Sequence, residues 1–359
     1  MRIWLSAGEA SGDRWGGALA TALVRANPDV ELRGMGGPLM REAGVECMDI
    51  PAGGVSGFSG PLLQARTILR TYRRAKREIR EWNPDRCVVI DYPDFHMQLI
   101  RAVDPRRVVY YIAPQVWAWR ADRARTVAQR CGRVITAFEW EREYFTPWMD
   151  DDRVQWLGHP LVDDISADGA TRSDDSYEVI LLPGSRPGEI ARNAPTLAKS
   201  ASELGLSTFL VHQADRAAMV RDSVGDAIPI ITGPVMPTVR WARLAIACAG
   251  TVTLEAACAG VPLIIVYSAD ALTALLGRTL VQTRLYGLPN ILLERSGDSA
   301  VYPELIQSQF TAERVCSMAR QLMSEPKDRW RTRGSHLRSL LGDSGVADRV
   351  AASVMECGG

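Results

Sequence analysis

Short apolar runs alternate along most of the chain with longer stretches of mixed apolar and polar residues. A buried parallel strand followed by an amphipathic crossover helix produces this alternation. In the first half it predicts strands at Ile3–Ala7, Glu31–Met35, Arg86–Asp91, Val108–Ile112, Arg133–Ala137 and Val154–Leu157. A polar segment, 166–177, interrupts the pattern and reads as a linker. The pattern restarts at Val179–Leu182 and continues through Thr208–Val211, Pro229–Ile231, Leu244–Ala247 and Pro262–Val266. From Thr311 the chain reads as helical, with Pro326 separating two helices and Gly342 closing the second. The expected architecture is α/β with two doubly wound, Rossmann-like domains, 1–165 and 178–359, the second carrying the terminal helices.

Length agrees with this division, because 359 residues exceed what one hydrophobic core usually serves. A composition of 47% hydrophobic and 23% charged residues is that of an ordinary globular protein. Lys plus Arg (42) equals Asp plus Glu (42), so overall charge gives no reason to expect a nucleic-acid partner. The seven cysteines form no C-x-x-C pair and no short Cys/His cluster, which predicts reduced thiols and no metal site. The first residues lack the pattern of a signal peptide, and no run approaches the roughly 18 apolar residues of a membrane span. A cytoplasmic location is expected.

Ligands of open α/β sheets bind beyond the carboxyl ends of the strands, so the residues after each apolar run are the ones to read. The first such turn, Gly8-Glu9-Ala10-Ser11-Gly12-Asp13, holds two carboxylates and lacks the G-x-G-x-x-G of nicotinamide dinucleotide sites. Glu9, aimed from the strand end, is a functional candidate, and Ser11 or Asp13 suits the cap of the following helix. Asp91 emerges from the run Cys87–Ile90, where an apolar wall can raise a carboxylate's pKa, and it is the candidate general base. Asp94 reads as a cap, and His96 as a surface or packing residue. After the next strand, Gln115, Trp117, Trp119, Arg120 and Arg123 combine rings with guanidinium forks suited to an amphipathic, phosphorylated ligand, although packing explains at least one tryptophan equally well.

In the second half, Gly184-Ser185-Arg186 lies between a strand and a helix, where backbone N–H groups and the Arg186 fork suit a diphosphate. Glu189 fits either this site or a helix cap. Gly250-Thr251 follows another strand, and Glu255 reads as a first-turn carboxylate able to bind ribose hydroxyls.

Taken together, these loops resemble the lipid-A-disaccharide synthase family of GT-B glycosyltransferases. The resemblance rests on Gly8–Asp13, Asp91–Phe95, Pro114–Arg120, Gly158-His159-Pro160, Leu182–Arg186, Gly250-Thr251 with Leu254-Glu255, Leu288-Pro289-Asn290 and Pro303–Gln307, in the family's order over nearly the whole chain. It implies two domains facing each other across a cleft. It also implies an inverting transfer of 2,3-diacylglucosamine from UDP-2,3-diacylglucosamine to 2,3-diacylglucosamine 1-phosphate (lipid X), giving the β-1,6 disaccharide 1-phosphate and UDP without a cofactor. The resemblance assigns Asp91, Glu9 and Arg186 to catalysis. The substrate- and nucleotide-binding set is Gly8, Ser11, Gly12, Gln115, Trp117, Arg120, Gly184, Ser185, Glu189, Gly250, Thr251, Glu255, Asn290, Glu304 and Gln307. It further implies work at the inner face of the inner membrane and a homodimer that exchanges C-terminal segments. The chain departs from the family pattern at Ala249 (usually Ser), His96 (usually Asn) and Ser268 (often basic), and Glu294–Tyr302 is longer than usual.

Acylated substrates must reach the site from a bilayer. The stretch Val55–Trp82 supplies apolar residues (Val55, Phe58, Leu62, Leu63, Ile68, Leu69, Tyr72) beside Arg66, Arg70, Arg73, Arg74, Lys76 and Arg77. Two readings fit: an interfacial amphipathic segment, or a helix packed on the sheet with a solvated basic face. Two rival functions are a GT-B enzyme using UDP-N-acetylglucosamine, epimerase or transferase, and a nucleotide- or lipid-binding protein without turnover.

Overall fold

The computed structural model describes residues 1–50, 61–166, 177–205, 207–211, 214–270, 283–299 and 301–357. It divides into two compact units. One holds Met1–Asp164 with the chain from Gly342 onward, and the other holds most of the chain between Ile165 and Leu341. The interval read as a linker lies mostly outside the described residues.

The first unit is built on a seven-stranded parallel sheet: β1 (Arg2–Ala7), β2 (Glu31–Gly36), β3 (Glu46–Asp49), β4 (Arg86–Ile90), β5 (Val108–Tyr111), β6 (Arg133–Thr136) and β7 (Val154–Trp156), in the order β3-β2-β1-β4-β5-β6-β7. The central strands are apolar throughout because both faces are covered, and Trp4, Val89 and Tyr110 are fully buried. The order reverses between β1 and β4, which opens a crevice beyond their carboxyl ends.

The second unit repeats the plan with six parallel strands: β8 (Tyr177–Leu182), β9 (Ser207–Val211), β10 (Ile230–Thr232), β11 (Ala242–Cys248), β12 (Leu263–Tyr267) and β13 (Glu304–Ile306), in the order β10-β9-β8-β11-β12-β13. Its reversal lies between β8 and β11. Two edge strands, β3 and β13, escape the hydrophobic pattern. Each buries one residue, Met48 and Leu305 respectively, so neither carries an apolar run.

The helix Pro61–Trp82 settles part of the choice between an interfacial and a packed segment. Ile68 and Tyr72, two of the apolar residues offered for an interface, instead face the core of the first unit with Ala75, Ile79 and Trp82, while Arg66, Arg70, Arg73, Arg74, Lys76 and Arg77 are exposed. Leu69 is 45% exposed among the arginines. Val55 and Phe58, and the side chains of Leu62 and Leu63, lie outside the described residues.

Pro326 separates the helices Ala312–Met323 and Lys327–Ser339, as expected. The last helix, Val346–Glu356, corrects the domain boundary, because it packs on helix Ala10–Ala26 of the first unit rather than ending the second. Val346, Val350, Ala351 and Val354 are buried there, and Arg133 Nη1 donates to the Ser353 carbonyl at 2.5 Å. Asp163 caps its start, accepting from the N–H groups of Gly345 (2.6 Å), Val346 (3.1 Å) and Ala347 (2.9 Å). Asp163→Ala removes all three acceptors and is expected to cost roughly 1–2 kcal/mol, the upper range for a helix cap. Urea unfolding with limited proteolysis of the C-terminal helix checks this, and unchanged midpoint and cleavage would refute it.

Candidate active site

The crevice between β1 and β4 brings the first loop against the Asp91 loop. Helix Ala10–Ala26 begins directly after Glu9, its extended N-cap residue, which is half-buried. Gly8 has no room for a side chain, since a Cβ would lie 1.9 Å from Cδ1 of Tyr92. Gly12 is also buried, facing Ala7, and Ser11 is half-buried beside it. Asp13 does not cap its own helix. Its carboxylate accepts from the N–H groups of Gly37 (2.6 Å), Leu39 (3.1 Å) and Met40 (3.1 Å), and so caps the neighbouring helix Pro38–Glu42.

Asp91 follows β4 directly and is half-buried. It and Tyr92 both adopt φ +49°, a left-handed conformation that costs a non-glycine residue of order 1 kcal/mol or more. Three bonds hold the turn. The Asp91 N–H donates to Tyr111 O (3.0 Å), while the Asp91 carbonyl accepts from the Tyr110 hydroxyl (3.0 Å) and lies 2.6 Å from His96 Nδ1. His96 is therefore no surface residue. It is fully buried, its Nε2 is 2.9 Å from Ser6 Oγ, and burial pushes its pKa down to about 4. Asp94 is not the cap of helix Pro93–Leu99, a place taken by Tyr92, and pairs instead with Arg123 at 2.5 Å.

Beyond β5, Gln115 and Arg120 are exposed, and the guanidiniums of Arg120 and Arg123 lie 5.7 and 5.1 Å from the centre of the Trp119 ring. Trp117 is a packing residue, 7% exposed, with its edge on Trp140. Its indole N–H donates to Glu141 at 2.7 Å. Glu141 also accepts from the N–H groups of Ala137 (2.9 Å) and Phe138 (3.1 Å). Burial pushes Glu141 up to about 7; the nearby Asp91 charge adds to this and the three hydrogen bonds oppose it. Sequence reasoning missed Glu141, although a carboxylate three residues beyond Phe138 has the spacing of a capping side chain.

In the second unit, the loop between β8 and helix Pro187–Leu204 is closed on itself. Glu189 Oε2 accepts from the N–H groups of Ser185 (3.1 Å) and Arg186 (3.3 Å), and its Oε1 lies 3.0 Å from Arg186 Nη1. Glu189 is thus a cap that also holds the arginine. Gly184 takes φ +119°, and a Cβ there would meet Glu189 Cβ at 2.6 Å. Next to this loop, Gly250 is exposed at φ +151° and Thr251 is half-buried. Glu255 is not in the first turn of helix Thr251–Cys258 but one turn further in, only 4% exposed. Burial pushes the Cys248 thiol at the end of β11 up to about 12; the Glu189 charge adds to this and the charges of Arg186 and Arg192 oppose it.

Asn290 and Glu304 serve the framework. Asn290, 1% exposed, donates to Tyr302 O (2.7 Å) and Glu304 Oε1 (2.8 Å) and accepts from the N–H groups of Val301 (3.1 Å) and Tyr302 (3.0 Å). Glu304 accepts from the N–H groups of Tyr286 (2.8 Å) and Gly287 (3.0 Å). These bonds use both donors of the Asn290 amide, while the half-buried Glu304 carboxylate keeps accepting capacity on Oε2. Gln307, half-buried at φ +53°, accepts from Ala269 N–H at 3.4 Å. No group of three or more His, Cys, Asp or Glu suited to a metal occurs among the described residues.

A sequence profile of the family described as lipid-A-disaccharide synthetase matches residues 3–341. The lipid-A-disaccharide synthase of Geobacter metallireducens is 36% identical over 99% of this chain and 97% of its own length, and that of Syntrophus aciditrophicus 34% over 98% and 97%. Among solved structures, the UDP-N-acetylglucosamine 2-epimerase of Rickettsia bellii superposes with a TM-score of 0.66 at 14% identity, covering 99% of this chain and 96% of that one.

Because Glu141 is more readily protonated folded than unfolded, its contribution to stability is complete below its ordinary pKa near 4.5 and is lost as pH rises towards about 7. The permanently neutral Glu141→Gln lacks this decline. The unfolding midpoints of wild type and variant should therefore draw together, or cross, between pH 4.5 and 7, and a constant offset would refute the assignment.

Proposed function

The chain belongs to the lipid-A-disaccharide synthetase family, and from that premise we propose that its two crevice loops divide an inverting sugar transfer between them. It is a glycosyltransferase of GT-B fold, joining 2,3-diacylglucosamine from UDP-2,3-diacylglucosamine to the 6-hydroxyl of 2,3-diacylglucosamine 1-phosphate and releasing UDP. In this reading Asp91 takes the proton of the acceptor hydroxyl as its oxygen bonds to the anomeric carbon. The bond from that carbon to the diphosphate breaks, and UDP leaves with its charge offset by Arg186 and the N-terminus of helix Pro187–Leu204. Glu9 supports the acceptor side. Ser185, Gly250, Thr251, Glu255 and Gln307 serve the nucleotide-sugar, with Glu189 holding Arg186 ready.

The observation that carries this reading is a half-buried carboxylate on a strained turn at the β1/β4 crevice. Strain of this kind concentrates where a side chain must be aimed. Asp91→Asn keeps the size of the side chain but cannot accept the proton. Its kcat should fall by roughly 10²- to 10⁴-fold with UDP affinity nearly unchanged, products being identified by mass spectrometry. Near-normal kcat here with collapse in Glu9→Gln would move the role of base to Glu9.

Among the described residues no helix is long and apolar enough to cross a membrane. Peripheral contact is supported by the exposed arginines and Leu69 of helix Pro61–Trp82. Binding to anionic vesicles should exceed binding to neutral ones and weaken with salt, since charge is screened over about 8 Å at physiological ionic strength. Equal recovery from both vesicle types would leave the basic face as a solvated surface alone. Exchange of C-terminal segments in a dimer would fill the seat on helix Ala10–Ala26 with the same helix from a second copy.

A further inference from the structure

Two side chains converge on the backbone of Asp91 and make no contact that requires a substrate. His96 Nδ1 and the Tyr110 hydroxyl both meet the Asp91 carbonyl oxygen, at 2.6 and 3.0 Å. A carbonyl only accepts, so Nδ1 must carry the imidazole proton. In the neutral ring Nε2 is then an acceptor, and the hydroxyl of Ser6, buried in β1, donates to it across 2.9 Å. Three neighbouring strands thereby meet in one chain of bonds: β1 through Ser6, the end of β4 through Asp91, and β5 through Tyr110. The ring is boxed by Tyr92 (5.8 Å), Phe95 (5.7 Å) and Tyr110 (6.3 Å), each edge-on, which leaves it one orientation.

We infer that His96 and Tyr110 are positioning residues for the transfer: together they hold the Asp91–Tyr92 turn in its left-handed conformation and so aim the Asp91 carboxylate. The inference rests on the reading of Asp91 as the base. An αL aspartate followed by an αL tyrosine relaxes towards extended backbone unless something outweighs the strain. Two donors on one carbonyl oxygen do so, and rotation of that peptide would abandon both. It would also swing the Tyr92 ring off Gly8, where it lies too close for any side chain. An asparagine amide at the same place can also donate to this carbonyl, but it is too small to fill the same box of rings.

The test compares Tyr110→Phe, His96→Leu and His96→Asn, each alone and combined with Asp91→Asn, by kcat, KM for both substrates and UDP affinity. A displaced carboxylate should lower kcat by about 10- to 100-fold in His96→Leu and less in Tyr110→Phe, with UDP affinity unchanged. His96→Asn should recover most of the loss, and in the Asp91→Asn background none of the three should lower kcat further. Wild-type kcat in both His96→Leu and Tyr110→Phe, with Asp91→Asn impaired, would overturn the inference and leave the base assignment standing. Equal fold losses with and without Asp91 would also overturn it, because the pair would then act through something else. Full activity of Asp91→Asn itself would instead remove the base reading. Should His96→Leu fail to fold, Tyr110→Phe, which keeps the ring and its packing, decides the matter.

Discussion

The interaction on which this structure turns is a carboxylate accepting hydrogen bonds from backbone N–H groups. Strand ends and helix starts leave amides that no ladder satisfies, and a buried amide without a partner costs about as much as a lost hydrogen bond. Here one side chain serves several of them at once. Asp13 and Asp163 accept three amides each, while Glu141, Glu189 and Glu304 accept two each together with a side chain. Such bonds are strongest where the acceptor is ionised, which burial opposes at Glu141, and they hold loops that belong to no sheet.

The two crevices reach unusual backbone geometry by different routes. Beside β8 and β11 the left-handed positions are Gly184 and Gly250, which have no side chain to clash. Beside β4 and β5 they are Asp91, Tyr92, Ile112 and Arg120, where the conformation is strained. The contrast follows from what each loop offers. A loop that presents its backbone can use glycine, whereas one that presents a carboxylate cannot.

Much of this was legible in the chain. The central strands announce themselves because burial on both faces demands unbroken apolar runs, and the crevice loops follow from where those runs stop. Residues 46–49 and 304–306 stayed hidden because an edge strand needs only one buried side chain. The partners of the carboxylates were hidden for a different reason. Asp13 meets Gly37 and Asp163 meets Gly345, and local pattern reports a residue's own turn, never a distant one. Asn290 and Glu304 were legible as residues to single out, but not the internal bonds by which they tie residues 286–304 together. His96 carried no sequence signal beyond its type, because its role depends on Ser6 and Tyr110 from other strands.

The seating of helix Val346–Glu356 on helix Ala10–Ala26 bears on how the chain is made. A growing polypeptide leaves the ribosome from its amino end, so the first unit emerges with one face of its opening helix bare. The segment that covers that face appears only after the second unit has been made. At usual rates of synthesis the interval between Asp164 and this helix is on the order of ten seconds or longer. For that time the nascent first unit carries an apolar seat that other surfaces can occupy, including those of a neighbouring nascent chain. Completion of the amino-terminal half thus waits on synthesis of the whole second unit, and a stop before this helix would damage the beginning.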